Sequence, residues 1–200
     1  TWQEMARTRW EDWFAEVNRA FEELRARSDE IFVMGLSMGG CLALRLAELH
    51  ATAVSGLVLV NPSVTADTRL FMLAPMLKFL VPSLKGIASD IKKEQASELG
   101  YDRVPVKAAA TLPGLWRITR EHLGDLTQPV LAYRSATDHV VGPASLALLR
   151  EALPAGQLEV RELADSYHVA TLDNDAEVIF TGSLEFVRAH SRLGRESGRE

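Results

Sequence analysis

One cysteine, Cys41, stands in 200 residues, which excludes an internal disulfide and any paired-cysteine metal site. No His-x-x-x-His pair occurs among the five histidines, so no metal is expected. Positive charge is also short: 22 Lys and Arg face 27 Asp and Glu, and a net charge of −5 without a basic stripe argues against nucleic acid as a partner. The nearly all-apolar stretch Leu70 to Val81 falls short of the ~20 residues that a bilayer span needs, so no integral membrane segment is expected. No internal repeat is present. Gly35-x-x-x-Gly39-Gly40 lacks the Lys-Ser/Thr of a phosphate loop, and no cofactor is expected. No signal peptide opens the chain, and the expected location is cytoplasmic, although a truncated chain could have lost a leader.

What is present is an alternation of apolar strands and amphipathic helices. Trp10, Trp13, Phe14, Val17, Phe21 and Leu24 recur at helical spacing within Thr1 to Arg27. Strands are predicted at Ile31 to Met34, Gly56 to Pro62, Val130 to Arg134 and Gln157 to Leu163, with helices at Cys41 to Leu49, Ala144 to Ala152 and Ala176 to Ala189. Such alternation specifies a mostly parallel α/β sheet with helices on both faces. Between Ser63 and Gln128 the pattern breaks for longer than an ordinary connection, with Pro75, Pro82, Gly86, Pro105, Pro113 and Gly124 punctuating helix-rich sequence. This stretch reads as a helical cap over the site. Core is therefore expected at 1–62 and 129–190, cap at 63–128, and a polar disordered tail at 191–200.

The most informative segment is Gly35-Leu36-Ser37-Met38-Gly39-Gly40. A Gly-x-Ser-x-Gly spacing is weak alone, but here a strand precedes it and a helix follows, which is the setting of a nucleophile elbow. Ser37 is the candidate nucleophile, with Gly35 and Gly39 expected to allow close helix and strand approach. The N–H of Met38, at the positive end of the helix, is the expected oxyanion donor.

A serine nucleophile needs a base and an orienting carboxylate. His168 lies in the polar segment Asp165 to Asp173 after a late strand, and Asp138 follows the strand Val130 to Arg134, giving the chain order Ser, Asp, His. Asp173 and Asp175 compete for the acid role but are better placed to cap the helix at Ala176. His50 and His122 read as helix ends, and His190 lies near a frayed terminus. His139 is expected to point away from the base while rimming the pocket. Cys41 reads as a small buried hydrophobe.

The elbow, the acid segment Ala136-Thr137-Asp138-His139-Val140-Val141 and the base segment Ser166-Tyr167-His168-Val169-Ala170-Thr171-Leu172-Asp173 resemble those of α/β-hydrolases. More narrowly, the pattern Ser-x-His-Val-x-Thr-x-Asp and the strand Gly56 to Pro62 are similar to those of bacterial carboxylesterases and monoacylglycerol lipases. The resemblance runs from about Trp10 to His190 and implies a serine ester hydrolase acting on a small acyl ester or monoacylglycerol. An acyltransferase, thioesterase or perhydrolase with the same triad, or a catalytically silent binding protein, are the alternatives. Phe71, Met76 and Phe79 in the cap are candidates to line an acyl pocket. One departure is that the family's His-Gly oxyanion loop after an earlier strand has no counterpart here, and the chain opens with Thr inside helical sequence. An N-terminally truncated hydrolase lacking its first strands is the resulting expectation; oligomeric state is not legible.

Overall fold

The computed structural model describes residues 1–66, 81–86, 89–192 and 194. Strands β1 (Phe32–Leu36), β2 (Gly56–Val60), β5 (Val130–Ser135) and β6 (Leu158–Leu163) form one parallel sheet in the order β1-β2-β5-β6. Two short strands, β3 (Ser83–Lys85) and β4 (Arg103–Pro105), pair antiparallel in a separate sheet between β2 and β5. The expected helix-rich stretch thus also contains β structure.

The helices are α1 (Trp2–Met5), α2 (Trp10–Arg25), α3 (Met38–Leu49), α4 (Val106–Ala109), α5 (Leu112–His122), α6 (Ala144–Ala152) and α7 (Ala176–His190). The amphipathic segment expected across Thr1 to Arg27 is therefore two helices. The break falls where the Asp12 carboxylate accepts the Arg9 N–H at 2.9 Å and the Thr111 hydroxyl accepts the Trp10 N–H at 3.0 Å, starting α2 afresh. Trp10, Trp13, Phe14, Val17 and Phe21 of α2 join the core, whereas Leu24 is exposed.

Both faces of the sheet are covered, and the period-two alternation of β2 divides them. Leu57 and Leu59 pack with α3, α5 and α6, while Val58 and Val60 pack with Ile179 and Phe186 of α7. Every residue of β2 is buried, as a parallel strand between two helical layers requires. β1 is different: among the described residues it pairs with β2 alone, and Met34 is 56% exposed. No helix among the described residues is long and apolar enough to cross a membrane.

Because all four strands run the same way, the segments leaving β1, β5 and β6 emerge at one edge of the sheet. These segments carry Ser37, Asp138 and His168, and the carboxyl edge of a parallel sheet is where ligand sites of such folds form.

Candidate active site

Ser37 lies between the last residue of β1 and the first of α3, with φ 54° and ψ −120°. A non-glycine residue in that region stores about 1–3 kcal/mol of strain. The turn is held from both sides: the Ser37 N–H donates to the Val60 carbonyl at 2.9 Å, and its own carbonyl accepts the N–H groups of Gly40 and Ser63, each at 3.0 Å. A Cβ on Gly35 would collide with the Gly39 backbone, so the expected role of Gly35 is met. Gly39 does not share it, because its Cβ would point into open space; Gly40, where an added Cβ would lie 3.0 Å from Pro62 Cβ, makes the second close approach. Met38 begins α3, where an N–H has no intrahelical acceptor, and it finds no other acceptor among the described residues.

The loops of the candidate acid and the candidate base meet. His168 Nδ1 lies 3.0 Å from Asp138 Oδ2, which also accepts from Arg134 Nη1 at 2.9 Å. Asp138 Oδ1 accepts the N–H groups of Val140 at 2.9 Å and Val141 at 2.8 Å, so each oxygen of this fully buried carboxylate has two donors. Burial pushes the Asp138 carboxyl up, but the His168 hydrogen bond and the Val141 and Val140 N–H groups together outweigh it and hold the carboxyl below its ordinary value. An ionised Asp138 can only accept, so His168 Nδ1 carries the proton in this contact, and Nε2 is the acceptor nitrogen of the neutral ring.

The sequence reading missed the residue that joins the base loop to the sheet. Asn61 follows β2 directly, is fully buried and has φ 44°, a conformation that asparagine tolerates better than most residues. Its Nδ2 donates to the His168 carbonyl and to Ser135 Oγ, each at 2.9 Å, and its Oδ1 accepts the Ser135 N–H at 2.9 Å. Ser135 Oγ in turn donates to the Tyr167 carbonyl at 2.8 Å. Val60 thus receives the elbow and Asn61 the base loop, on successive residues of one strand end. Asn61→Asp removes every hydrogen bond that Nδ2 donates and buries a charge against the His168 and Tyr167 carbonyl oxygens. The expected outcome is a loss of about 3 kcal/mol of stability, read by thermal denaturation.

Asp173 and Asp175 do not cap α7 through their side chains, contrary to expectation. Asp175 occupies the N-cap position but its carboxylate accepts the Asp165 N–H at 2.8 Å. Asp173 is buried and accepts four backbone N–H groups, from Lys92, Lys93, Tyr167 and Asn174, at 2.7–2.9 Å. Burial raises its carboxyl, yet these four donors outweigh it and leave the group below its ordinary value. His139 turns away from His168 to meet Asp90 at 2.7 Å. His50 ends α3 beside Asn18, His122 ends α5 beside Asp125, and His190 ends α7 on the Phe186 carbonyl. Cys41 is buried against Thr119, and burial pushes its thiol up to about 12, as an inert core residue requires. Phe71, Met76 and Phe79 lie outside the described residues. An apolar groove of about 540 Å³ runs between β1 and α7, but Ser37, Asp138 and His168 do not line it.

Known proteins resemble this chain in sequence and in fold. The serine aminopeptidase S33 hydrolase family matches residues 3–175. A thermostable monoacylglycerol lipase of Bacillus sp. (strain H-257) is 36% identical over 192 residues, covering 95% of this chain and 75% of the relative. A carboxylesterase of Bacillus subtilis (strain 168) is 21% identical, over 92% of this chain and 75% of its own length. Among solved structures, one from work on the metagenome-derived lipolytic enzymes LipS and LipT superposes with a TM-score of 0.91 at 35% identity, covering 95% of this chain and 78% of that one. The chain belongs to the S33 serine hydrolase family and is an enzyme of the α/β-hydrolase fold.

Proposed function

We propose that the protein cleaves carboxylic esters, with monoacylglycerols as the preferred class, through Ser37, His168 and Asp138. The observation that carries this reading is the buried His168–Asp138 pair at the same sheet edge as a strained serine elbow. His168 Nε2 takes the Ser37 proton as Oγ attacks the ester carbonyl. Asp138 fixes the ring and stabilises the imidazolium, and the Met38 N–H receives the developing oxyanion. His168 then returns the proton to the leaving alcohol, and water activated by the same ring releases the acyl group. The stretch 63–128 is proposed to serve as the cap. The 36% identity to a monoacylglycerol lipase supports the substrate class.

A second reading follows from the family description, which names an aminopeptidase. Amide and ester cleavage share the tetrahedral intermediate, so the proposed triad would serve both. Substrates separate them. Turnover of nitrophenyl butyrate and of 1-monoacylglycerol should exceed that of leucine and proline nitroanilides by at least about 10³-fold in kcat/KM, the scale on which a site rejects a poorly matched substrate. Faster cleavage of the nitroanilides overturns the ester assignment and leaves the triad standing. Acyl transfer to an added alcohol, or thioester cleavage faster than ester cleavage, would mark the transferase or thioesterase alternative.

A further inference from the structure

One segment of the stretch between β2 and β5 holds the loops of the proposed acid and base at once. Asp90 Oδ2 accepts the His168 N–H at 3.1 Å and the His139 N–H at 3.2 Å, while its Oδ1 meets His139 Nδ1 at 2.7 Å. The Asp90 carbonyl accepts the N–H of Val169 at 3.0 Å. One residue therefore binds the peptide N–H directly after the candidate acid and the N–H groups of the candidate base and its successor. The contact is reciprocated, since Asp173, from the far end of the base loop, accepts the N–H groups of Lys92 at 2.7 Å and Lys93 at 2.8 Å. Asp173 Oδ2 also takes the Tyr167 N–H at 2.9 Å, so the residue before the base is fixed by the same carboxylate. The Lys92–Asp165 ion pair across this junction is exposed on both sides and adds little.

Two carboxylates thus form a clasp, each accepting from the other segment's backbone, and charge-assisted hydrogen bonds of this kind are stronger than neutral ones. Its effect on chemistry follows from where the bonds land. His168 Nδ1 is fixed by Asp138, but the direction of Nε2 depends on the backbone that carries the ring, and that backbone is anchored by Asn61 on its carbonyl and by Asp90 on its N–H.

We infer that Asp90 is a positioning residue of the hydrolytic site, holding the loops of Asp138 and His168 at fixed spacing and thereby making the segment 89–93 part of the catalytic machinery. This rests on the proposed triad. Asp90→Asn is the direct test, because the amide keeps the size but takes away the charge that strengthens the bonds from the His139 and His168 N–H groups to Oδ2. Two quantities are read: kcat per active site titrated with a fluorophosphonate, and the far-downfield proton resonance of the His168 Nδ1–H held by Asp138. The charged groups that meet the ring or its loop are Asp138 on Nδ1, Arg134 through Asp138, Asp90 and Asp173 on backbone N–H groups, and His139 through Asp90, and only Asp90 is altered. The expected result is a roughly 10- to 100-fold fall in kcat with KM nearly unchanged, the scale of a misplacement near 1 Å, together with a broadened or shifted resonance. A kcat within twofold of the parent and an unmoved resonance overturn the inference. Should Asp90→Asn fail to fold, His139→Ala carries the test: its ring is 57% exposed, and its loss leaves Asp90 Oδ1 unbound. A shifted resonance and a severalfold lower kcat support the clasp, and no change in either overturns it. His168→Ala run alongside separates the two levels: an inactive His168→Ala with an unaffected Asp90→Asn defeats the clasp alone, whereas an active His168→Ala defeats the triad and the clasp with it.

Discussion

Ser37→Ala and His168→Ala are each expected to lower kcat by on the order of 10⁴-fold or more, and the double replacement to lower it little further. The reason is that the serine hydroxyl is a poor nucleophile until the imidazole takes its proton, so removing either group removes the same step. Additive losses would mean that the two act separately. Asp138→Asn should also be severe. Its amide can present an N–H to His168 Nδ1 and drive the ring into the tautomer whose Nε2 already carries a proton, and it leaves Arg134 facing a neutral partner in a buried site. Asp173→Asn is the control, because Asp173 touches only backbone N–H groups and not the imidazole. It should stay within about tenfold of the parent in kcat, the order of a modest positioning loss. A severe Asp173→Asn with a mild Asp138→Asn reassigns the acid.

The second large effect is on folding. Gly35→Ala places a methyl group against the backbone of Gly39 at the start of α3, and neither β1 nor α3 can retreat without breaking the hydrogen bonds that hold Ser37. Overpacking against fixed backbone costs about 3 kcal/mol or more here, and the expected outcome is insoluble or inactive protein. Gly39→Ala meets open space in a helical position, where alanine is favoured over glycine by about 1 kcal/mol. It should fold, with a melting temperature equal to or above that of the parent. Thermal denaturation of the purified pair checks both. A stable Gly35→Ala protein would mean that the elbow is looser than its hydrogen bonds imply.

The two glycines illustrate what could be read in advance and what could not. Their spacing around Ser37 is local, and it pointed to a strand-to-helix turn that the structure contains between β1 and α3. Which glycine faces the strand depends on the angle at which α3 leaves the turn, and that angle is set by Pro62 and by the packing of α3 on α5. The same division holds elsewhere. The helix Ala144–Ala152 was legible to the residue, since its pattern is contained in the segment itself. Residues 6–9, where one expected helix becomes two, were not, because the break is supported by Thr111 from a distant part of the chain.

By itself the sequence determined the parallel α/β architecture, the strand-to-helix turn at Ser37 and the chain order of the candidate Ser, Asp and His, because hydrophobic period, glycine placement and chain order are properties of contiguous residues. The sequence favoured Asp138 over Asp173 and Asp175, but the contact with the imidazole comes from the tertiary structure. Asp138, Asp173 and Asp175 are chemically alike, and their choice depends on how β5 and β6 align. The register Ser135 opposite Leu163 brings the loops after both strands together, placing Asp138 at 3.0 Å from His168 Nδ1. The supports of that pair came from folding as well. Asn61 reaches His168 across 107 residues and Asp90 reaches it across 78, and hydrogen bonds formed over such separations leave no periodic or compositional trace in the chain.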